Sequence, residues 1–129
     1  MKYVLLMFSN KQDWDEMPNT WSEQDVKTMV QYMHELDDGL RASGELVEER
    51  GLSGPDQMKT LQAQDDDEPI VTDGPFSETK EVLAGYWVVD VASEARVLEI
   101  ARQISVTPGP GGRPLNQPVE IHPEGQAPA

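Results

Sequence analysis

The chain has 129 residues, room for one domain and too few for two of ordinary size. Its 37% hydrophobic and 26% charged residues suit a globular protein, and the absence of cysteine excludes disulfides, thiolate metal sites and a cysteine nucleophile. With 24 Asp and Glu against 10 Lys and Arg the formal charge is −14, a field that repels phosphate backbones and disfavours nucleic acid, though a few local cations still suffice to hold a small anion.

No apolar run approaches the ~20 residues that span a bilayer, and the opening MKYVLLMF is too short for a signal peptide and lacks a small-residue cleavage site. The expectation is a cytoplasmic protein without membrane contact.

Residues 2–9 form a nearly continuous apolar run rich in β-compatible side chains and read as the first strand, buried on both faces. Residues 10–20 are polar, carry Pro18 and read as a loop, with Trp14 and Trp21 lying against the domain or a partner. From Ser22 the apolar positions Val26, Met29, Val30, Met33, Leu36 and Leu40 recur at three and four, which predicts a helix capped by Ser22 and ended at Gly44. Residues 45–49 read as a strand. Residues 58–64 and 70–72 read as a hairpin around the acidic turn 65–68. The run YWVVDV at 86–91 is the strongest strand signal. Ser93 then caps a second helix whose stripe is Val97, Ala101 and Ile104, widened by Leu98 and Ile100. Residues 108–118 form a Pro/Gly-rich loop, and 119–122 form a short closing strand.

The order is β, α, β, hairpin, β, α, β: a ferredoxin-like α+β plan with extra strand material, over residues 1–123, followed by a short tail at 124–129. Alternation puts Tyr86, Val88 and Asp90 on one side of their strand and Trp87, Val89 and Val91 on the other, so both sides carry bulky groups. An apolar sheet face left open by two helices calls for a partner, and two such sheets face to face would make a homodimeric α+β barrel.

Asp73-Gly74-Pro75-Phe76-Ser77-Glu78-Thr79-Lys80-Glu81, followed by Gly85-Tyr86, is the most distinctive stretch. Asp73-Gly74 permits a tight turn with positive φ at glycine, Pro75 fixes its own φ, and Phe76 can pin the loop. Asp73 either caps its own turn through its side chain or lines a cleft between helix and sheet, where partial burial would suit it to proton transfer. Phe76, Glu78, Lys80, Glu81 and Tyr86 are the candidate binding residues around it, Lys80 for an anionic substrate group.

This stretch resembles the signature of the DGPF branch of the YCII-related family, and the likeness runs from the Met-Lys-Tyr opening to Val119-Glu120-Ile121-His122-Pro123. It implies a dimeric ferredoxin-like barrel and favours the cleft, since relatives in the wider group pair an aspartate at this kind of position with a histidine on the first helix. The histidine available here is His34, whose spacing to Gly44 departs from the relatives'. At ~100° per residue it falls about 110° from the centre of the apolar stripe, on the flank. Asp37 falls only about 50° from that centre, an odd place for a carboxylate without a partner or a cavity. His122 stands where relatives often carry arginine and reads as a strand-end surface residue.

No metal or cofactor is expected. The acidic run 65–68 lacks the spaced ligands of a calcium loop, the PGPGGR run at 108–113 lacks the lysine and hydroxyl of a phosphate loop, and Met29 and Met33 read as core fillers. Two functions follow. One is a small-molecule-binding protein, with cofactor-free acid/base catalysis by Asp73 helped by His34. The other is a non-catalytic regulatory or interaction protein, suggested by relatives found beside or fused to extracytoplasmic sigma factors and by the acidic surface with Trp14 and Trp21.

Overall fold

The computed structural model describes residues 1–75, 77 and 79–126. In chain order the elements are β1 (Lys2–Ser9), α1 (Lys11–Thr20), α2 (Glu23–Ala42), β2 (Leu46–Gly51), β3 (Lys59–Gln62), β4 (Ile70–Asp73), β5 (Val82–Asp90), α3 (Glu94–Ser105) and β6 (Val119–Pro123). β2, β5, β1 and β6 form an antiparallel four-stranded sheet in that spatial order, the strand order of a ferredoxin-like domain, while β3 and β4 form a separate two-stranded ribbon. The sheet is open, not closed into a barrel.

α2 begins with a full capping box: Ser22 Oγ accepts from the Asp25 backbone N–H, and the Asp25 carboxylate accepts from the Ser22 N–H, each at 3.0 Å. It ends at Gly44, whose φ of 78° reverses the chain into β2. Ser93 caps α3 through the Arg96 N–H at 3.2 Å.

α3 lays Val97, Ile100, Ala101 and Ile104 on one sheet face, and α2 adds Leu40, with Met33 and Leu36 at its edge. The sheet contributes Tyr3, Leu5, Trp87, Val89 and Val91 to the same core. The alternation predicted for residues 86–91 is therefore observed, with its odd-numbered members inward. Val4, Leu6, Tyr86 and Val88 line the opposite face and are half-buried.

Of the residues 10–20 expected to form a loop, Lys11–Thr20 are a helix. Asn10 caps it, accepting from the Asp13 N–H at 2.8 Å; Lys11 and Asp15 pair across one turn; and Trp21 N–H bonds to the Met17 carbonyl at 2.9 Å. Pro18 sits in the last turn, where only one donor is lost. Trp14, Met17, Pro18 and Trp21 recur at three and four, a helical signal hidden by the polar composition around it. α1 buries none of its residues fully; the Trp14 indole lies flush on Gly54.

Candidate cleft beneath the long helix

Two glycines open a space between sheet and helix. Gly85 and Gly51 are paired across β5 and β2, and Gly85 is paired across β5 and β1 with Met7. Gly85 has the inward parity of Trp87 and Val89, so two adjacent positions of this row, Gly51 and Gly85, lack side chains where neighbouring positions have bulk. A Cβ on Gly85 would come within 2.9 Å of the Arg50 carbonyl oxygen, so the close strand approach itself requires glycine. The result is a cavity of about 390 Å³ lined by Met7, Met29, Val30, Met33, Ala84, Gly85 and Trp87, with the polar groups His34, Asp37, Glu49 and Arg50.

Asp37 is the unusual group in it. Only 6% exposed, it accepts a hydrogen bond from Trp87 Nε1 at 2.9 Å, and Trp87 is itself buried. That indole donor is its one hydrogen-bond partner among the described residues. No fully buried side-chain nitrogen or oxygen among those residues lacks a partner. The second carboxylate oxygen of Asp37 has no hydrogen-bond partner among the described residues and is not fully sealed in protein, and the residue lines the cleft.

The other charged groups of the cleft have partners. Arg50 donates to the Glu49 carbonyl at 2.7 Å and pairs with Glu48 at 3.4 Å, and Glu49 stands 3.7 Å from Arg41. His34, one turn before Asp37 on α2, is exposed at the opening.

Of the residues expected from the sequence, His34 lines this cleft and Asp73 does not. Asp73 ends β4 on the separate ribbon, with its side chain 81% exposed and paired at 2.5 Å with Lys59 directly across the ladder. The positive φ expected of Gly74 is present, at 72°. Glu81 borders a different hollow of about 210 Å³ with Ser9, Asn10, Asp13 and Glu120. Tyr86 is on the opposite sheet face, its hydroxyl donating to Glu48 at 3.2 Å; burial and that carboxylate raise its pKa. Lys80 is exposed. Phe76 and Glu78 lie outside the described residues. Asp73, Lys80, Glu81 and Tyr86 are thus not among the residues that line the cleft.

Sequence reading left Asp37 unassigned although its angle on the helix was the clue. It treated Trp87 as strand bulk alone, and Met29 and Met33, assigned to filling, line the cavity wall. Gly85 inside an otherwise β-rich run was the remaining signal. Among the described residues no cluster of His, Asp or Glu has the arrangement of a metal site, and no helix is long and apolar enough to cross a membrane.

Two helices on one face of an antiparallel sheet, with a half-apolar cleft under the longer of them, define a small α+β domain of the ferredoxin-like class. The chain belongs to the YCII-related family, whose domain pattern matches residues 1–109. It is 27% identical over 130 residues to an uncharacterized protein of Rhizobium meliloti (strain 1021), an alignment that covers the whole of both chains.

Proposed function

We propose that this protein binds a small, largely apolar molecule in the cleft under α2, anchored by Asp37, with His34 at the opening. The observation that carries the reading is Asp37, a residue only 6% exposed whose second carboxylate oxygen has no partner among the described residues, lining a cavity walled by methionine and tryptophan. Such a constellation, apolar walls with a few convergent polar groups, is the usual form of a ligand site. It also holds the elements of cofactor-free acid/base chemistry, since Asp37 and His34 lie one turn apart along the same wall. In this reading Asp37 takes the role that the sequence alone suggested for Asp73. The D-G-P-F run at 73–76 supports assignment to the DGPF branch of the family.

A homodimer belongs to the same proposal. On the outer sheet face Val4 is opposite Val88 and Leu6 opposite Tyr86, while Glu48, Arg50, Glu120 and His122 occupy the flanking positions of β2 and β6. An apolar strip with a polar rim is what a protein interface looks like.

The test is a small-molecule screen read at the three indole N–H resonances. Hits are expected to move Trp87 and to be lost in Asp37→Asn. Hits confined to Trp14 and Trp21, which border a surface cavity of about 480 Å³ with Met17, Pro18 and Val26, would favour the interaction-protein reading instead.

A further inference from the structure

The charges around the cleft point to the kind of molecule it takes. Four titratable or charged side chains line it: His34, Asp37, Glu49 and Arg50. The Arg50 guanidinium is held by Glu48 and the Glu49 carbonyl, and Glu49 has Arg41 beside it. Asp37, the most deeply buried of the four, has no cation beside it among the described residues. Its partner is a neutral indole that satisfies one oxygen by hydrogen bonding and supplies no charge. A carboxylate withdrawn from water and left without a counter-ion is costly, and that cost is relieved when a positively charged donor arrives.

Each alternative ligand class fares worse. A carboxylate or phosphate entering the cleft would meet Asp37 and Glu49 in a chain of net charge −14. A neutral alcohol would satisfy the free oxygen without compensating its charge. An ammonium group does both, and charge-assisted hydrogen bonds are the stronger ones. The rest of the wall, Met7, Met29, Val30, Met33 and Ala84, suits an apolar body.

We propose, on the basis of the cleft reading above, that the ligand is an amine with a compact apolar body, its ammonium group on the free oxygen of Asp37. The experiment compares three near-isosteric probes at pH 7: 2-phenylethylamine, 2-phenylethanol and phenylacetate. Affinities come from calorimetry and the position from the Trp87 indole resonance. The amine is expected to bind ~10-fold or more tightly than the alcohol, with phenylacetate weakest. Asp37→Asn, which keeps an acceptor for Trp87, should reduce the amine to the alcohol's affinity, whereas Asp38→Asn, at an exposed neighbour outside the cleft, should leave the preference in place.

If the alcohol or phenylacetate equals the amine while still shifting Trp87, the amine assignment is overturned and the cleft reading stands. If the amine binds without moving Trp87, or none of the three moves it, both fall. Should Asp37→Asn fail to fold, the amine preference of the unaltered protein and its loss at high salt, absent for the alcohol, decide the matter, because only a charge–charge contact is screened.

Discussion

Trp87 and Asp37 illustrate how one hydrogen bond ties a core to a site. Trp87 packs among Leu5, Val89 and the helices, and its N–H, which must find a partner once buried, meets a carboxylate on α2 at 2.9 Å. Trp87→Phe keeps most of the bulk but leaves the carboxylate without its donor. It should cost about 1–3 kcal/mol in urea unfolding, and adding Asp37→Leu to it should recover part of the loss, since removing both polar partners is milder than removing one. At Gly85 the constraint is steric. Gly85→Ala drives a methyl against the Arg50 carbonyl and should destabilise by ~1–3 kcal/mol, with strand β2 displaced, as amide exchange of residues 49–51 would reveal.

At the scale of elements, the turn between α2 and β2 is fastened to α3 by Glu45 and Arg96. The guanidinium donates to both carboxylate oxygens at 2.8 Å, and Ser43 Oγ adds a third bond at 2.8 Å. These hydrogen bonds, that from Arg96 foremost, lower the Glu45 pKa to about 2. A folded-state pKa below the unfolded one means that this stabilisation is complete above the ordinary glutamate range and is lost as pH falls toward 2. Arg96→Met should therefore reduce stability by about 1–2 kcal/mol at pH 7, and its deficit relative to the unaltered protein should shrink between pH 4.5 and 2. The expected readout is two denaturation curves that converge in acid.

α1 behaves as a surface element. Asn10→Ala removes its cap and should lower local helix stability by ~1 kcal/mol. Gly54→Ala, which would place a Cβ 2.2 Å from the Trp14 ring, should undock it. Both effects should appear as faster amide exchange within residues 11–20, with global unfolding nearly unchanged, because α1 contributes no fully buried residue.

For the whole molecule the outer sheet face carries the consequence. If it is the homodimer interface proposed above, Val88→Glu places a charge at the centre of the strip, opposite Val4 and beside Glu48, and should yield monomers by sedimentation with the helix-side core intact. Unaltered protein sedimenting as a monomer at micromolar concentration would remove the dimer from the proposal.

Much of this architecture is written locally. The caps at Ser22 and Ser93, the reversals at Gly44 and Gly74, the inward parity of Trp87 and Val89 and the order of strands follow from short-range patterns, because a cap, a positive φ or a period of two is decided within a few residues. α1 was missed because one proline and many charges outweighed a sound apolar spacing. The candidate site was less legible. Asp37 stood out as a carboxylate too near the apolar stripe, but its partner lies 50 positions away, and only the packing of α2 on β5 brings the two together. The cavity likewise exists because strand register sets Gly51 opposite Gly85 beneath the methionines, and register is a property of the paired sheet. Asp73, prominent in sequence, is carried outward on a separate two-stranded ribbon. The sequence by itself determined the named elements other than α1, the fold class and the family, since these rest on local chemistry; the tertiary structure decided which carboxylate lines a cavity, because burial arises only where distant segments meet.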